Sequence, residues 1–315
     1  MKKKRNWLYL ALCLLFGILF CVACGGKQQT ETTTAAKAES SSQAAAAEEG
    51  LSADSRVVAL SRSVGEMRLL AGGNLVGVTD DATDLEGLSK ACTSVGKLSA
   101  PSAEAILALH PAFVLTAPDI PAQREVRKTL EAAGVRCQAV DINNFADYAS
   151  VMQSFTAETG RTDLYEKNVT AVQQKIDSVK AALPSEIKGK TFLVIRASAA
   201  KTKVLKSDHF TVAMLEDLGL TNAAPESLLN QLSMEGITEA NPDYLFVIFQ
   251  GDPKEAEVVY RELIGGQPAY DQLKAVKDGH TAVLPKDLFQ YKPNARWGEA
   301  YAKLAELLGG VAAKQ

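Results

Sequence analysis

The sequence predicts an α/β protein built as two lobes, each carrying a parallel sheet, joined by one long helix. Three observations carry this. Short apolar, β-branched runs alternate with helical stretches between residues 57 and 140, and again between 192 and 284, as the βα units of a parallel sheet do. Between the two sets, Leu164, Val169, Val172, Ile176, Val179 and Leu183 recur at three- to five-residue spacing, which places them along one helix face. Finally, one pattern ahead of a strand in the first set returns ahead of a strand in the second.

Taken in order, the 315-residue chain opens with a secretory signal over residues 1–23. Lys2, Lys3, Lys4 and Arg5 precede an apolar stretch from Trp7 to Ala23, after which the chain turns polar at once. At about 17 residues the stretch sits at the short limit for a spanning helix. It ends in Val22-Ala23-Cys24-Gly25, which resembles a bacterial lipobox with Cys24 as the lipidated residue, although Cys21 stands where Leu is usual. Residues 24–54 are rich in Gln, Thr, Ser, Ala and Glu and nearly lack large apolar side chains. Such a segment buries too little surface to offset its ordering entropy, so it is expected to be a disordered tether.

The N-terminal lobe is expected over 55–143. Residues 57–60 read as a strand, and Ser63-Val-Gly-Glu66 as a capping box opening a helix that ends at Gly72-Gly73. Further strands are expected at 75–78, 113–116 and 135–140, with helices near 102–109 and 122–133. Residues 144–184 form the helical region with the interlobe helix, stopped by Pro184 and Gly189. The C-terminal lobe, 185–315, has strands at 192–195, 244–249 and 281–284, a helix at 209–218, and a closing amphipathic helix from 294 to 308.

Composition removes several function classes. The formal net charge is −3 even with the basic leader counted, which disfavours nucleic acid as a partner. His110, His209 and His280 are far apart and have no clustered carboxylates around them, so no bare zinc or manganese site is expected. Cys92 and Cys137 are the two cysteines of the folded part; they carry no spacing signature, and pairing and free thiols both stay open. Ser198-Ala-Ala-Lys201 fits the S-x-x-K element of serine hydrolases, making an anchored hydrolase that uses Ser198 and Lys201 the rival function. Its companion elements are missing: Ser207-Asp208 is followed by His209 rather than Asn, and neither K-T-G nor G-x-S-x-G occurs. No catalytic residue is assigned, and the chain is not expected to be an enzyme. A purely adhesive lipoprotein would explain the leader and tether but not the repeated pattern.

That pattern is the most specific feature. Ser102-Ala-Glu104-Ala-Ile106 leads to Pro111 before one strand, and Ser233-Met-Glu235-Gly-Ile237 leads to Pro242 before another, with Ser, Glu, Ile and Pro at matching offsets. Ser suits an N-cap, Glu falls in the first turn where the helix dipole favours a carboxylate, and Pro helps stop the helix.

These two S-x-E-x-I-x4-P elements, the closing LKAVKDGHTAVLPKDLF and ARWGEAYAKLAELL segments, and the helix between the lobes resemble class III periplasmic binding proteins. The resemblance implies two Rossmann-like lobes and a receptor for an ABC importer of iron–siderophores, cobalamin or heme. By match, Glu104 and Glu235 are the glutamates that dock on the permease. It further implies an extracytoplasmic, membrane-anchored monomer that works with a permease and its ATPase and has no resident cofactor; the chelate is cargo. His110-Pro111-Ala112 departs from the family's basic–Pro–Asp turn, whereas Asn241-Pro242-Asp243 keeps the Asp.

Ligands of parallel α/β sheets bind beyond the carboxyl ends of the strands. The residues there are Arg62, Arg196, Lys201, Phe289 and Tyr291, with His209 as an axial ligand if the cargo is heme. Arginines beside aromatic rings suit a bulky anionic chelate. A siderophore-type ferric chelate is the first expectation, heme or cobalamin the second.

Overall fold

The computed structural model describes residues 52–309; the expected signal, Cys24 and nearly all of the expected tether lie outside them. The first sheet contains β1 (Val57–Ala59), β2 (Gly77–Val78), β3 (Thr93–Ser94), β4 (Phe113–Thr116) and β5 (Cys137–Ala139) in the order β3-β2-β1-β4-β5, every pair parallel. The central strand β1 is buried along its length, which is why it reads as a continuous apolar run rather than an alternating one. The second sheet contains β6 (Thr191–Ala197), β7 (Lys203–Val204), β8 (Thr221–Asn222), β9 (Tyr244–Phe249) and β10 (Thr281–Val283). Its parallel order is β8-β6-β9-β10, with β7 antiparallel on β6. The two-lobed α/β architecture is therefore as the sequence indicates.

Both sheets are wound outward from a central strand. In the first, the chain goes from β1 to β2 and β3 on one side and then returns to β4 on the other; in the second, β6 is flanked by β8 on one side and β9 on the other. Each lobe thus has a topological switch point, between β1 and β4 and between β6 and β9, where the connecting segments diverge and leave a crevice at the strands' carboxyl ends.

The first helix differs from the expected one. Helix α1 (Arg62–Leu70) is capped by Ser61, whose Oγ accepts from the Val64 amide at 3.4 Å, so Ser63 and Glu66 do not form a capping box. Helices α2 (Ala103–Ala108) and α3 (Pro121–Ala132) cover the first sheet. The expected single helical region divides: α4 (Phe145–Thr159) ends at Gly160, whose φ of 70° closes it in a left-handed cap. The interlobe helix follows as α5 (Thr162–Tyr165) and α6 (Ala171–Ala182), joined through a π-helical turn at Glu166–Thr170. That turn presents buried Asn168, whose Nδ2 donates to the Leu70 carbonyl at 2.9 Å, while Tyr148 donates to the Asn168 carbonyl at 3.2 Å. Val169, Val172, Ile176 and Val179 are buried as their spacing requires.

In the second lobe come α7 (Phe210–Asp217), α8 (Met234–Ala240), α9 (Pro253–Tyr260) and the closing α10 (Trp297–Leu307), which packs along α6. Trp297 is fully buried and meets Phe145 and Phe210 edge-on, each at 6.0 Å. Cys92 and Cys137 are free thiols. Cys92 precedes β3 and Cys137 opens β5, the opposite edges of a five-stranded sheet. Four strand spacings of about 4.8 Å separate them, far beyond the roughly 7 Å that a disulfide spans.

Candidate functional site: an interlobe cleft

The two switch points open on one cleft of about 280 Å³. From the first lobe it is lined by Ser61 and Arg62 after β1 and by Ala117 and Asp119 after β4; from the second, by Arg196 in β6 and Gln250 after β9. Gln290, Tyr291 and Lys292 form a further wall. Sequence reasoning passed over Asp119, Gln250 and Gln290, although the first two directly follow strands in the way Arg62 does.

Arg62 is partly engaged. Its backbone amide donates to Asp81 at 3.2 Å, its guanidinium donates to the Asp81 carbonyl at 2.9 Å and pairs with Asp84, and it lies 5.9 Å over the Tyr291 ring. Arg196 differs: among the described residues its guanidinium has neither an ion-pair partner nor a hydrogen bond. Burial pushes its pKa down, with the Asp119 carboxylate the counteracting charge. Lys292 is likewise lowered by burial against Asp119, Asp141 and Asp147; its ammonium donates to the Ile142 carbonyl and lies 5.5 Å over Phe210. Lys203 is lowered by burial and by Arg196 and Lys201 nearby. A cation left unpaired in a partly desolvated cleft is an incomplete electrostatic arrangement that an anion completes.

Three expected contacts are not in this cleft. Phe289 is fully buried in the main hydrophobic core, on a short helix (Lys286–Phe289) whose inner side also buries Leu288. Lys201 is exposed on the turn between β6 and β7, where the Ser198 hydroxyl donates to its carbonyl at 2.8 Å and accepts from its amide at 3.0 Å. The S-x-x-K element is therefore a turn, with the serine engaged by backbone rather than by the lysine ammonium. His209 is the N-cap of α7: its Nδ1 accepts from the Thr211 amide at 3.3 Å and its ring stacks on Phe210. Burial, then Arg196, Lys292 and Lys203, push its pKa down to about 3. A ring accepting at Nδ1 carries its proton on Nε2, so iron ligation there requires the opposite tautomer and loss of the cap. Arg62, Arg196 and Tyr291 are the expected residues that the fold does bring together.

Glu104 and Glu235 occupy equivalent places. Ser102 and Ser233 cap α2 and α8, accepting from the Ala105 and Gly236 amides at 3.1 and 3.0 Å. In each helix the glutamate is exposed in the first turn and the isoleucine, Ile106 or Ile237, is fully buried. Each helix leads into a residue with left-handed backbone, His110 (φ 45°) or Asn241 (φ 35°), ahead of the proline. The departure at Ala112 has a counterpart in the contacts. Asp243 receives the Thr191 amide at 2.8 Å and the Lys274 ammonium, whereas in the first lobe Arg56 reaches the last turn of α2 by donating to the Leu109 carbonyl.

A groove elsewhere, lined by Asn144, Gln153, Tyr165, Lys180, Asp217 and Tyr301 among others, is larger at about 600 Å³. Its charges are already matched, Lys180 to Asp217 at 2.6 Å and the Tyr301 hydroxyl to Asp217 at 2.8 Å, and it lies at neither switch point. Among the described residues no group of three or more His, Cys, Asp or Glu side chains converges as a metal site.

Two sheets meeting at their switch points over one cleft define a two-lobed binding protein. The chain belongs to the periplasmic binding protein family, whose sequence model matches residues 57–288. A curated relative, the iron-uptake system-binding protein of Bacillus subtilis (strain 168), is 25% identical over 214 residues; these cover 66% of this chain and 64% of the relative, under two thirds of its length. Among solved structures, S. aureus IsdE complexed with heme is similar with a TM-score of 0.68 at 17% identity, over 81% of this chain and 99% of that one. FeuA of Bacillus subtilis complexed with ferri-bacillibactin, a triscatecholate siderophore binding protein, has a TM-score of 0.65 at 20% identity, over 83% and 94%. Members of such a family are non-enzymatic transport components, in keeping with the engaged Ser198.

Proposed function

We propose that this chain is the extracytoplasmic substrate-binding lipoprotein of an ABC importer, anchored through Cys24, that captures an anionic ferric siderophore-type chelate in the interlobe cleft. The observation that carries the reading is the Arg196 guanidinium, unpaired among the described residues, where both switch points meet, in one cleft lining with Arg62, Tyr291 and Lys292. Guanidinium and ammonium groups bind chelate oxygens by charge-assisted hydrogen bonds, and the half-buried setting strengthens them. The iron-uptake relative and the ferri-bacillibactin complex of similar fold support the same ligand class. Glu104 and Glu235, exposed on rigid helix starts in the two lobes, meet basic pockets of the permease, and its ATPase drives release. Rim charges of this kind set orientation and on-rate more than affinity, which suits a carrier that must let go.

Heme is the second reading, on one observation: Tyr291 lines the cleft beneath the Arg62 guanidinium, and tyrosine is an established heme-iron ligand. A thermal-shift panel with ferric tris-catecholate and ferric hydroxamate complexes, hemin and cobalamin separates these. The proposal expects a ferric siderophore complex to raise the melting temperature most. Stabilisation by hemin or cobalamin alone would replace it.

A further inference from the structure

The Ser63-Val-Gly-Glu66 motif has the form of a capping box but does not cap α1, and its side chains reach elsewhere. Ser63 Oγ accepts from the Lys292 amide at 3.2 Å. The Asn294 Nδ2 donates to the Ser63 carbonyl at 3.0 Å and to Glu66 Oε2 at 2.8 Å. All three bonds join α1, which follows the central strand of the first sheet, to the strap that leaves β10 of the second.

We infer that Glu66 and Asn294 form an interlobe clasp and act as positioning residues for ligand capture, holding the Gln290–Lys292 wall of the cleft against α1. The inference rests on the cleft reading above. Arg62 and Glu66 are four residues apart on α1 and so project from the same side. Arg62 meets Tyr291, and one turn later Glu66 grips Asn294, three residues further along the strap. One helix face therefore fixes the strap at two points and sets where Tyr291 and Lys292 face the ligand. Asn294 is fully buried with a φ of 51°, a left-handed conformation that a non-glycine residue keeps only when its surroundings enforce it. Burial raises the Glu66 carboxyl above its usual range, against the Asn294 bond and the Arg62 and Arg296 charges. A half-buried carboxylate spent on a single asparagine is more than the first turns of a helix need.

The bond geometry also distinguishes the possible substitutions. Glu66→Gln keeps an acceptor for Asn294 Nδ2, and its new amide can donate to Asn294 Oδ1, which is buried and has no partner among the described residues. Glu66→Ala and Asn294→Ala remove the bond; Ser63→Ala removes only the acceptor for the Lys292 amide and is the milder variant should the others fold poorly.

The test uses the full chain in detergent with two readouts. Hydrogen exchange at residues 291–292 reports the clasp without any ligand, and equilibrium dialysis against the iron(III) tris-catecholate complex reports capture. Glu66→Ala and Asn294→Ala should speed exchange at 291–292 while leaving β1 and β9 protected. They should also weaken binding by about tenfold, the scale of one charge-assisted hydrogen bond, and Glu66→Gln should restore most of that affinity. Ser63→Ala should speed exchange at Lys292. Unchanged exchange in the alanine variants would overturn the clasp; faster exchange with unchanged affinity would overturn its positioning role. If the wild-type chain binds no ferric chelate yet shows a protected strap that the variants release, the clasp stands as a structural lock. The positioning role and the ligand reading then both fall.

Discussion

Arg196 and Phe289 show how differently two neighbours of a strand end can serve. Among the described residues Arg196 stands in the cleft without a partner, so under the proposed function Arg196→Ala removes a ligand contact and breaks no ion pair or hydrogen bond seen there. Chelate affinity is expected to fall by about ten- to a hundredfold, the worth of a charge-assisted hydrogen bond, with the melting temperature unchanged. Phe289 is sealed in the core, and Phe289→Ala is expected to cost about 3–5 kcal/mol of stability in a denaturant melt. The sequence marked both as ligand candidates because each follows a strand. It could not show which way the chain faces on leaving β10: the short helix turns Leu288 and Phe289 inward and Tyr291 toward the cleft. Lys201 lies away from the cleft for a related reason: β6 runs on to Ala197 and a tight turn carries the lysine out to solvent. His209 gives a pH dependence. Its folded-state pKa of about 3 lies below the ordinary 6.5, so between these values the unfolded chain takes up a proton that the folded ring refuses. That contribution is fully present above about pH 6.5 and is lost as the pH falls, at up to about 1.4 kcal/mol per unit. His209→Asn keeps a capping acceptor and should flatten this part of the acid limb when unfolding midpoints are compared at pH 7 and 5.

At the scale of elements, the long strands and helices were legible because their apolar residues recur at the right period. Phe113–Thr116 and Tyr244–Phe249 match expectation residue for residue. The two-residue strands β3, β7 and β8 were not legible, since two residues carry no period, and the Pro253–Tyr260 helix was passed over. The π-helical turn left a single mark, the five-residue step from Leu164 to Val169 in a pattern that otherwise recurs every three or four residues, and one step is too little to define a turn. It matters mechanically: Asn168 fastens the interlobe helix to the end of α1, while α10 fastens its other end to the second lobe. Asn168→Ala leaves the buried side of the Leu70 carbonyl without that donor and is expected to cost about 1–3 kcal/mol in equilibrium unfolding. The paired elements at Glu104 and Glu235 lead to a functional prediction. If they dock on a permease as proposed, replacing both by Ala should abolish stimulation of that transporter's ATP hydrolysis and leave affinity for the proposed chelate as it was, because neither residue lines the cleft. An equal loss of affinity would contradict the division of labour between rim and cleft.

Across the whole molecule, the two lobes share a long helix held at both ends and a strap bonded from Lys292 and Asn294 to α1. A hinge so braced should close little. Small-angle scattering with and without ligand is expected to give nearly superimposable profiles, and a large compaction would contradict the bracing. The two-sheet plan follows from hydrophobic patterning, which the sequence displays openly. The cleft follows from strand order, which brings Arg62 and Arg196 together from residues far apart in the chain, and no local pattern reports that. The most direct test of the account is therefore a titration of the iron(III) tris-catecholate complex into wild-type protein and an Arg196→Glu variant over a range of salt. The account predicts tight binding by wild type that weakens with salt, and binding reduced by at least about a hundredfold in the variant. Equal, salt-insensitive binding by both proteins would contradict an anion-binding cleft.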